Sequence, residues 1–144
     1  MCESIETTQF IERSANGRFL IVSNPGYREI GIVKVDGCLI NDASRRVDWI
    51  VRIPVKKKAK SGWACQKLVE LKGYDVPHAV TQVEATLRHA ALADTVHLVD
   101  ECFIVSQQKP AMASSIQVAL FDFRSRFNVP IRIVPKAMIN AAFD

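Results

Sequence analysis

From residue 97 to residue 134 the chain reads HLVDECFIVSQQKPAMASSIQVALFDFRSRFNVPIRIV, and the change of period inside this stretch decides the fold. His97 to Val105 is a buried strand, with Leu98-Val99 and Cys102-Phe103-Ile104-Val105 as its apolar parts. After Pro110 the apolar residues Met112, Ile116, Leu120, Phe123 and Phe127 recur at helical spacing. Asn128-Val129-Pro130 ends that helix, and Ile131-Arg132-Ile133-Val134 is a last strand before Pro135. A strand, a helix and a strand in succession imply a crossover connection and parallel pairing.

Working back from there, a second helix is expected from Pro77, with Val80, Val83, Leu87 and Ala90 or Ala91 on one face and Pro77 in the first turn. Earlier still the period is that of strands. Phe19-Leu20-Ile21-Val22 stops at Asn24-Pro25-Gly26, and Ile30 to Val35 partly alternates. Gly37 interrupts, and Cys38-Leu39-Ile40 reads as the opening of another strand. Val47 to Val55 sets Val47, Trp49, Val51, Ile53 and Val55 on one face and Asp48, Ile50, Arg52 and Pro54 on the other. Three short strands in a row predict an antiparallel meander. The expected order is therefore β-β-β-α-β-α-β, an α/β domain with a mixed sheet of the RNase H-like kind. Residues 1–16 are expected to form a flexible arm, and 17–144 a single domain with a basic loop at 56–77.

At 144 residues, nearly half of them hydrophobic and a quarter charged, the balance is that of one globular domain. No run approaches the roughly 20 apolar residues of a membrane span. The acidic, polar start Met1-Cys2-Glu3-Ser4-Ile5-Glu6 is unlike a secretory signal. An intracellular location is expected, whether cytoplasmic, nuclear or organellar, with a viral origin open. Cys2, Cys38, Cys65 and Cys102 are scattered, without a C-x-x-C pair or a histidine at metal-ligand spacing, and are expected as free thiols.

The stretch Ser23-Asn24-Pro25-Gly26-Tyr27-Arg28-Glu29-Ile30-Gly31 resembles the start of RuvC-type Holliday-junction resolvases, in which Asp-Pro-Gly is followed by a Gly as the second strand begins. Pro25, Gly26 and Gly31 match. Phe103-Ile104-Val105-Ser106-Gln107-Gln108, ahead of the helix, resembles the family's strand that ends in Glu with a Gln soon after, as in its poxvirus and mitochondrial members. The resemblance runs from about Phe19 to about Ile139. It implies the RNase H-like fold and a dimer acting on branched DNA. It also implies a metal site built from the first-strand Asp, the fourth-strand Glu and acids on a C-terminal helix, where two metal ions drive phosphodiester cleavage.

The departures fall on those ligands. Asn24 stands at the Asp position, Val105 or Ser106 at the Glu position, and the chain ends at Asp144 without an acidic helix. A neutral amide and an apolar or hydroxyl side chain are poor partners for a hard cation. The resemblance thus implies no catalytic residues and no resident metal. The exception is an active Mg²⁺- or Mn²⁺-dependent endonuclease in which Asn24 is an engineered inactivation. Among substitute acids, Glu101 shares the face of Val105, with Asp100 beside it, while Asp36, Asp42 and Asp48 sit near the meander. Each is read first as a surface acid.

The net charge of +4 is unevenly placed. Lys56, Lys57, Lys58 and Lys60 form a run, preceded by Arg45, Arg46 and Arg52 and followed by Lys67 and Lys72. Such a run can track a phosphate backbone or simply be solvated. Trp63 and Tyr74 interleave with it, as base-stacking rings or as anchors to the core. Arg28, Lys56, Lys57, Lys58, Lys60, Lys67 and Lys109 are the expected nucleic-acid contacts, with Gln107 and Gln108 beside Lys109. Arg124, Arg126 and Arg132 either add charge or solvate a helix face. His78, His89, His97 and Ser114-Ser115 match no catalytic spacing, and neither a dinucleotide nor a phosphate-loop motif occurs. The function expected first is a resolvase-like, catalytically silent protein that binds branched or duplex DNA. The alternative from another class is a protein-interaction or assembly module on the same fold, with the 112–127 helix available for a homodimer.

Overall fold

The computed structural model describes residues 1–71, 75–106 and 114–142. The strands are β1 (Glu3–Glu6), β2 (Phe10–Ala15), β3 (Arg18–Ser23), β4 (Ile30–Lys34), β5 (Trp49–Pro54), β6 (Trp63–Glu70), β7 (Val99–Val105), β8 (Ile131–Val134) and β9 (Ala137–Asn140); the helices are α1 (Val76–Arg88) and α2 (Ser114–Phe127). They build a mixed α/β fold on two sheets. The larger has the order β1-β4-β5-β6-β7-β8, and the smaller β2-β3-β9. No helix among the described residues is long and apolar enough to cross a membrane.

In the larger sheet the pairs β1–β4, β4–β5 and β5–β6 are antiparallel, and β6–β7 and β7–β8 are parallel. The change of sense at β6 follows from the connections. A tight hairpin can return a chain only antiparallel, whereas α1 and α2 are crossovers that bring β7 and β8 back in the same direction. Helix α1 begins at Asp75, whose side chain accepts from the backbone N–H of His78 at 3.2 Å, with Pro77 in the first turn. It buries Val76, Ala79, Val80, Val83, Thr86 and Leu87 against the sheet. Helix α2 buries only Phe123 fully, which stacks on Phe127.

Alternation along the strands splits the core in two. Ile50, Leu68, Cys102 and Ile104 face the helices. Val51, Val69, Phe103 and Val105 face the small sheet, where they meet Ile11, Leu20, Val22 and Ile139. The larger sheet is thus a middle layer, covered on both faces, which is why β4 and β7 read as nearly continuous apolar runs.

Four expectations are corrected. The segment expected as a flexible arm contains β1, on the edge of the larger sheet, and β2, paired with β3 in register from Phe10↔Ser23 to Ala15↔Arg18. The meander is β4-β5-β6 rather than the three strands first expected, because Phe19 to Val22 belongs to β3 in the small sheet. Much of the expected basic loop at 56–77 is strand β6. Cys38-Leu39-Ile40 opens no strand; a single bridge between Asp36 and Ile40 folds this segment back on itself. Cysteine usage differs as well: Cys2 and Cys38 form a disulfide, leaving Cys65 and Cys102 as free thiols.

Candidate functional site

The positions that the resemblance singled out do not converge. Asn24 follows β3 of the small sheet and is fully buried. Its carboxamide nitrogen donates to the carbonyl of Thr8 (3.1 Å) and of Arg28 (2.9 Å), and its oxygen accepts the N–H of Arg28 (3.0 Å). All three bonds lock a turn, the structural use that Asn serves well. Val105 ends β7 in the other sheet and packs between the layers, while the N–H of the buried Ser106 bonds Val134. Gly31 is glycine for packing: a Cβ there would stand 2.9 Å from the Trp63 ring. That ring is accordingly an anchor. Among the described residues no group of three or more His, Cys, Asp or Glu gathers as a metal site.

The expected phosphate contacts divide. Arg28 is buried, and its guanidinium donates to the carbonyls of Ala141, Pro54 and Lys56; burial lowers its pKa. That removes it from a surface role. Lys67 is held by Asp100 (2.9 Å) and Glu101 (3.2 Å). Burial lowers its pKa, but bonding to Asp100 outweighs this and leaves it raised. Glu101 also binds Arg132. Burial raises its pKa, while Arg132 and Lys67 bring it below the ordinary value, so this acid is spent on two cations. Lys56, Lys57, Lys58 and Lys60 remain exposed at the β5–β6 turn. Lys109, Gln107, Gln108, Lys72, Tyr74 and Met112 lie outside the described residues.

What the fold does bring together lies at the other end of the β5–β6 hairpin. The last paired residues there are Trp49 and Val69, so Asp48 and Glu70 stand opposite one another one step further on. Both follow the phase of Ile50 and Leu68, toward the helices. Glu70 is buried at 1 % exposure, and an Asp48 carboxylate oxygen accepts the N–H of Leu71 at 2.8 Å. The two acids line a cavity of about 260 Å³ with Asp36, Ala43, Ser44, Arg45, Arg46 and Gln82.

The wall of that cavity is a braced loop. Arg46 binds the Asp36 carboxylate (2.9 Å) and the carbonyls of Asp42 and Ser44. The buried hydroxyl of Thr86 on α1 accepts the N–H of Val47 (2.9 Å) and donates to the Gln82 carbonyl (2.8 Å), fixing the residue before Asp48 against the helix. Gln82 donates to the Arg46 carbonyl, and Arg45 to the Thr81 hydroxyl. The Asp42 carboxyl, bonded to His89 and then to Ser44, is held well below the usual carboxylate range. Arg45, which also lines the cavity, stays exposed and makes no ion pair among the described residues.

Sequence reading named Asp48 only as one acid near the meander and did not single out Glu70. The available signal was the run Lys67-Leu68-Val69-Glu70-Leu71, a carboxylate set in a strand-like apolar stretch, where burial of a charge is costly unless it serves something. Comparison with family models, curated proteins and solved structures finds no match for this chain.

Proposed function

We propose that the chain is a nucleic-acid-directed phosphodiesterase whose chemistry is centred on Asp48 and Glu70. One observation carries this: a buried carboxylate and a second one face each other across a hairpin and line a cavity whose rim holds an exposed arginine. The donor set fits a hard divalent cation, since Mg²⁺ is commonly held by one or two carboxylates, its own waters and substrate phosphate. Bound there, Mg²⁺ or Mn²⁺ would supply Lewis-acid charge and an activated water.

The chain's own residues do the positioning. The Leu71 N–H orients the Asp48 carboxylate at the cavity that it lines. Arg45 at the rim suits a phosphate, which a guanidinium meets with two parallel hydrogen bonds. The amide of Gln82 can hold a water or phosphoryl oxygen beside Glu70.

The RNase H-like assignment rests on the succession β4-β5-β6-α1-β7-α2-β8, and the resolvase resemblance on Pro25, Gly26 and Gly31. Both are in keeping with action on nucleic acid, but the resemblance puts its site at Asn24, whose carboxamide is spent on a buried turn, so the reading moves the chemistry to Asp48 and Glu70. An intracellular setting belongs to this reading because nucleic acid and magnesium are both found there, while the Cys2–Cys38 disulfide calls for a compartment that does not reduce it. The second reading, a silent DNA-binding protein, is favoured by the exposed lysines of the β5–β6 turn. An assembly module is the third, with the exposed Val118 and Phe121 of α2 as its surface.

The test is cleavage of labelled single-stranded, duplex and four-way-junction DNA with Mg²⁺ or Mn²⁺. Asp48→Asn and Glu70→Gln should each lower the rate at least about a hundredfold, the scale on which lost electrostatic stabilisation is felt. Salt-sensitive binding without cleavage would replace this reading with the silent one, and no binding at all would leave the assembly module.

A further inference from the structure

We infer that the β5–β6 turn and Tyr27 form a single-strand nucleic-acid platform at the far end of the hairpin from Asp48 and Glu70. From Asp48 to Lys56 the chain takes eight steps, or about 25 Å at strand rise, so this is a second surface and not the rim of the cavity.

Its first feature is charge that is not internally neutralised. Lys56, Lys57 and Lys60 are exposed and make no ion pair among the described residues. Lys58 meets Glu29 only at 3.9 Å and stays 61 % exposed, a pairing too open to cancel its charge.

Its second feature is a built scaffold. A single 3₁₀ turn, Ala59–Ser61, shapes the tip, and the Ser61 hydroxyl donates to the Lys58 carbonyl and accepts the Lys56 N–H. The Glu29 carboxylate accepts the Ala59 N–H at 2.8 Å, and the Glu29 N–H donates to the Lys57 carbonyl at 2.8 Å. From below, the buried Arg28 guanidinium holds the carbonyls of Pro54 and Lys56. A solvated loop needs none of this, whereas a preorganised one loses less entropy when it binds.

The third feature is Tyr27, two residues before Glu29. It is 54 % exposed and has φ of +50°. The other described non-glycine residues at positive φ are Asn16 and Asn128, a type that tolerates the left-handed region. A tyrosine there is disfavoured, and residues kept in such a conformation cluster at functional sites. An exposed ring next in the chain to Arg28 and Glu29, which both bond the cationic turn, is the chemistry that stacks on an unpaired base while lysines track the backbone. A base within a duplex offers no such face, so the platform selects single strands or unpaired segments.

The proposal rests on the nucleic-acid part of the reading above but not on hydrolysis, and the experiment keeps the two apart by working in EDTA. Fluorescence anisotropy would compare a labelled 20-nucleotide single strand, the matching duplex and vesicles of phosphatidylserine and phosphatidylcholine. The full chain is expected to bind the single strand most tightly. Tyr27→Asn, which suits positive φ and so should melt no lower than the parent, should weaken that binding about tenfold. It should leave duplex binding nearly unchanged. Lys57→Ala with Lys60→Ala should reduce the slope of log K against log salt by about 1.4, two lysines at about 0.7 each. Equal affinity for duplex, preference for vesicles, or unchanged binding by Tyr27→Asn would each overturn the platform. Cleavage lost through Asp48→Asn with this binding intact would leave it standing.

Discussion

A carboxamide and a carboxylate differ by one heavy atom, and at position 24 that atom, the nitrogen, makes two hydrogen bonds. It donates to two backbone carbonyls inside a fully buried turn. An aspartate in its place would turn both contacts into approaches between acceptors and bury a charge beside them. Asn24→Asp is therefore expected to destabilise the chain by on the order of 2–4 kcal/mol, the cost of leaving two buried polar groups unsatisfied. Urea unfolding measures this, and Mg²⁺ should recover none of it. Undiminished stability, or a Mg²⁺-dependent nuclease gained at that position, would return Asn24 to the role of a disarmed ligand. The sequence could not separate these cases. Asn-Pro-Gly is both a turn signal and a one-atom variant of a metal motif, and the partners that decide, Thr8 and Arg28, become visible only when β2 and β3 pair. Arg28 misled for a related reason: a basic residue in a turn reads as exposed until the carbonyls it caps are known.

At the scale of elements, legibility tracked local period. Helix α1, strand β5 and the strand before the last helix carry their burial pattern in consecutive residues, and all three stand close to where spacing put them. Strand β6 was hidden because its first half, Trp63-Ala64-Cys65-Gln66, buries its one polar residue, exposes an alanine and follows a lysine run; its identity comes from pairing with β5 and β7, which is not local. With it went the hairpin that sets Asp48 opposite Glu70. Strand β1 was hidden too, and its anchoring is partly covalent. The Cys2–Cys38 bond closes a separation of 36 residues, joining the residue before β1 to the loop after β4, and the backbone N–H of Lys34 at the end of β4 donates to the Cys2 carbonyl at 2.9 Å. Closing a loop of that length is worth about 3–4 kcal/mol by chain entropy. Reduction should lower the urea-unfolding free energy by up to that amount, and Cys2→Ser with Cys38→Ser should match the reduced protein. An unchanged midpoint under reductant would show that β1 is held by its ladder and the Arg52–Glu3 pair alone. The remaining thiols are no substitute: burial pushes Cys102 up to about 12, so it stays protonated and inert near neutral pH.

For the molecule as a whole, the larger sheet is shared property. Leu20 and Leu68 are both buried, but they belong to different cores, one between the sheets and one beneath the helices. Among the described residues the two cores are joined by the larger sheet, whose strands send alternate side chains into each. Losing either layer would therefore expose one face of that sheet. A chain of this size is expected to unfold as one cooperative unit, and the shared sheet supplies the reason here. Leu20→Ala and Leu68→Ala should each cost about 2–5 kcal/mol, as buried leucine truncations do. Each should also shift a single urea transition to lower midpoint without altering its slope, whether followed by far-ultraviolet circular dichroism or by Trp49 and Trp63 fluorescence. The slope decides the matter, because it reports the surface exposed on unfolding. If Leu20→Ala alone gave a shallower or biphasic curve, the small sheet would be opening by itself. The turn at Asn24, which bonds β2's leading segment at Thr8 and Gln9, would then move independently of the hairpin that carries Asp48 and Glu70. A single transition for both variants would instead show the two cores opening together, with the small sheet and the hairpin that carries Asp48 and Glu70 in one cooperative unit.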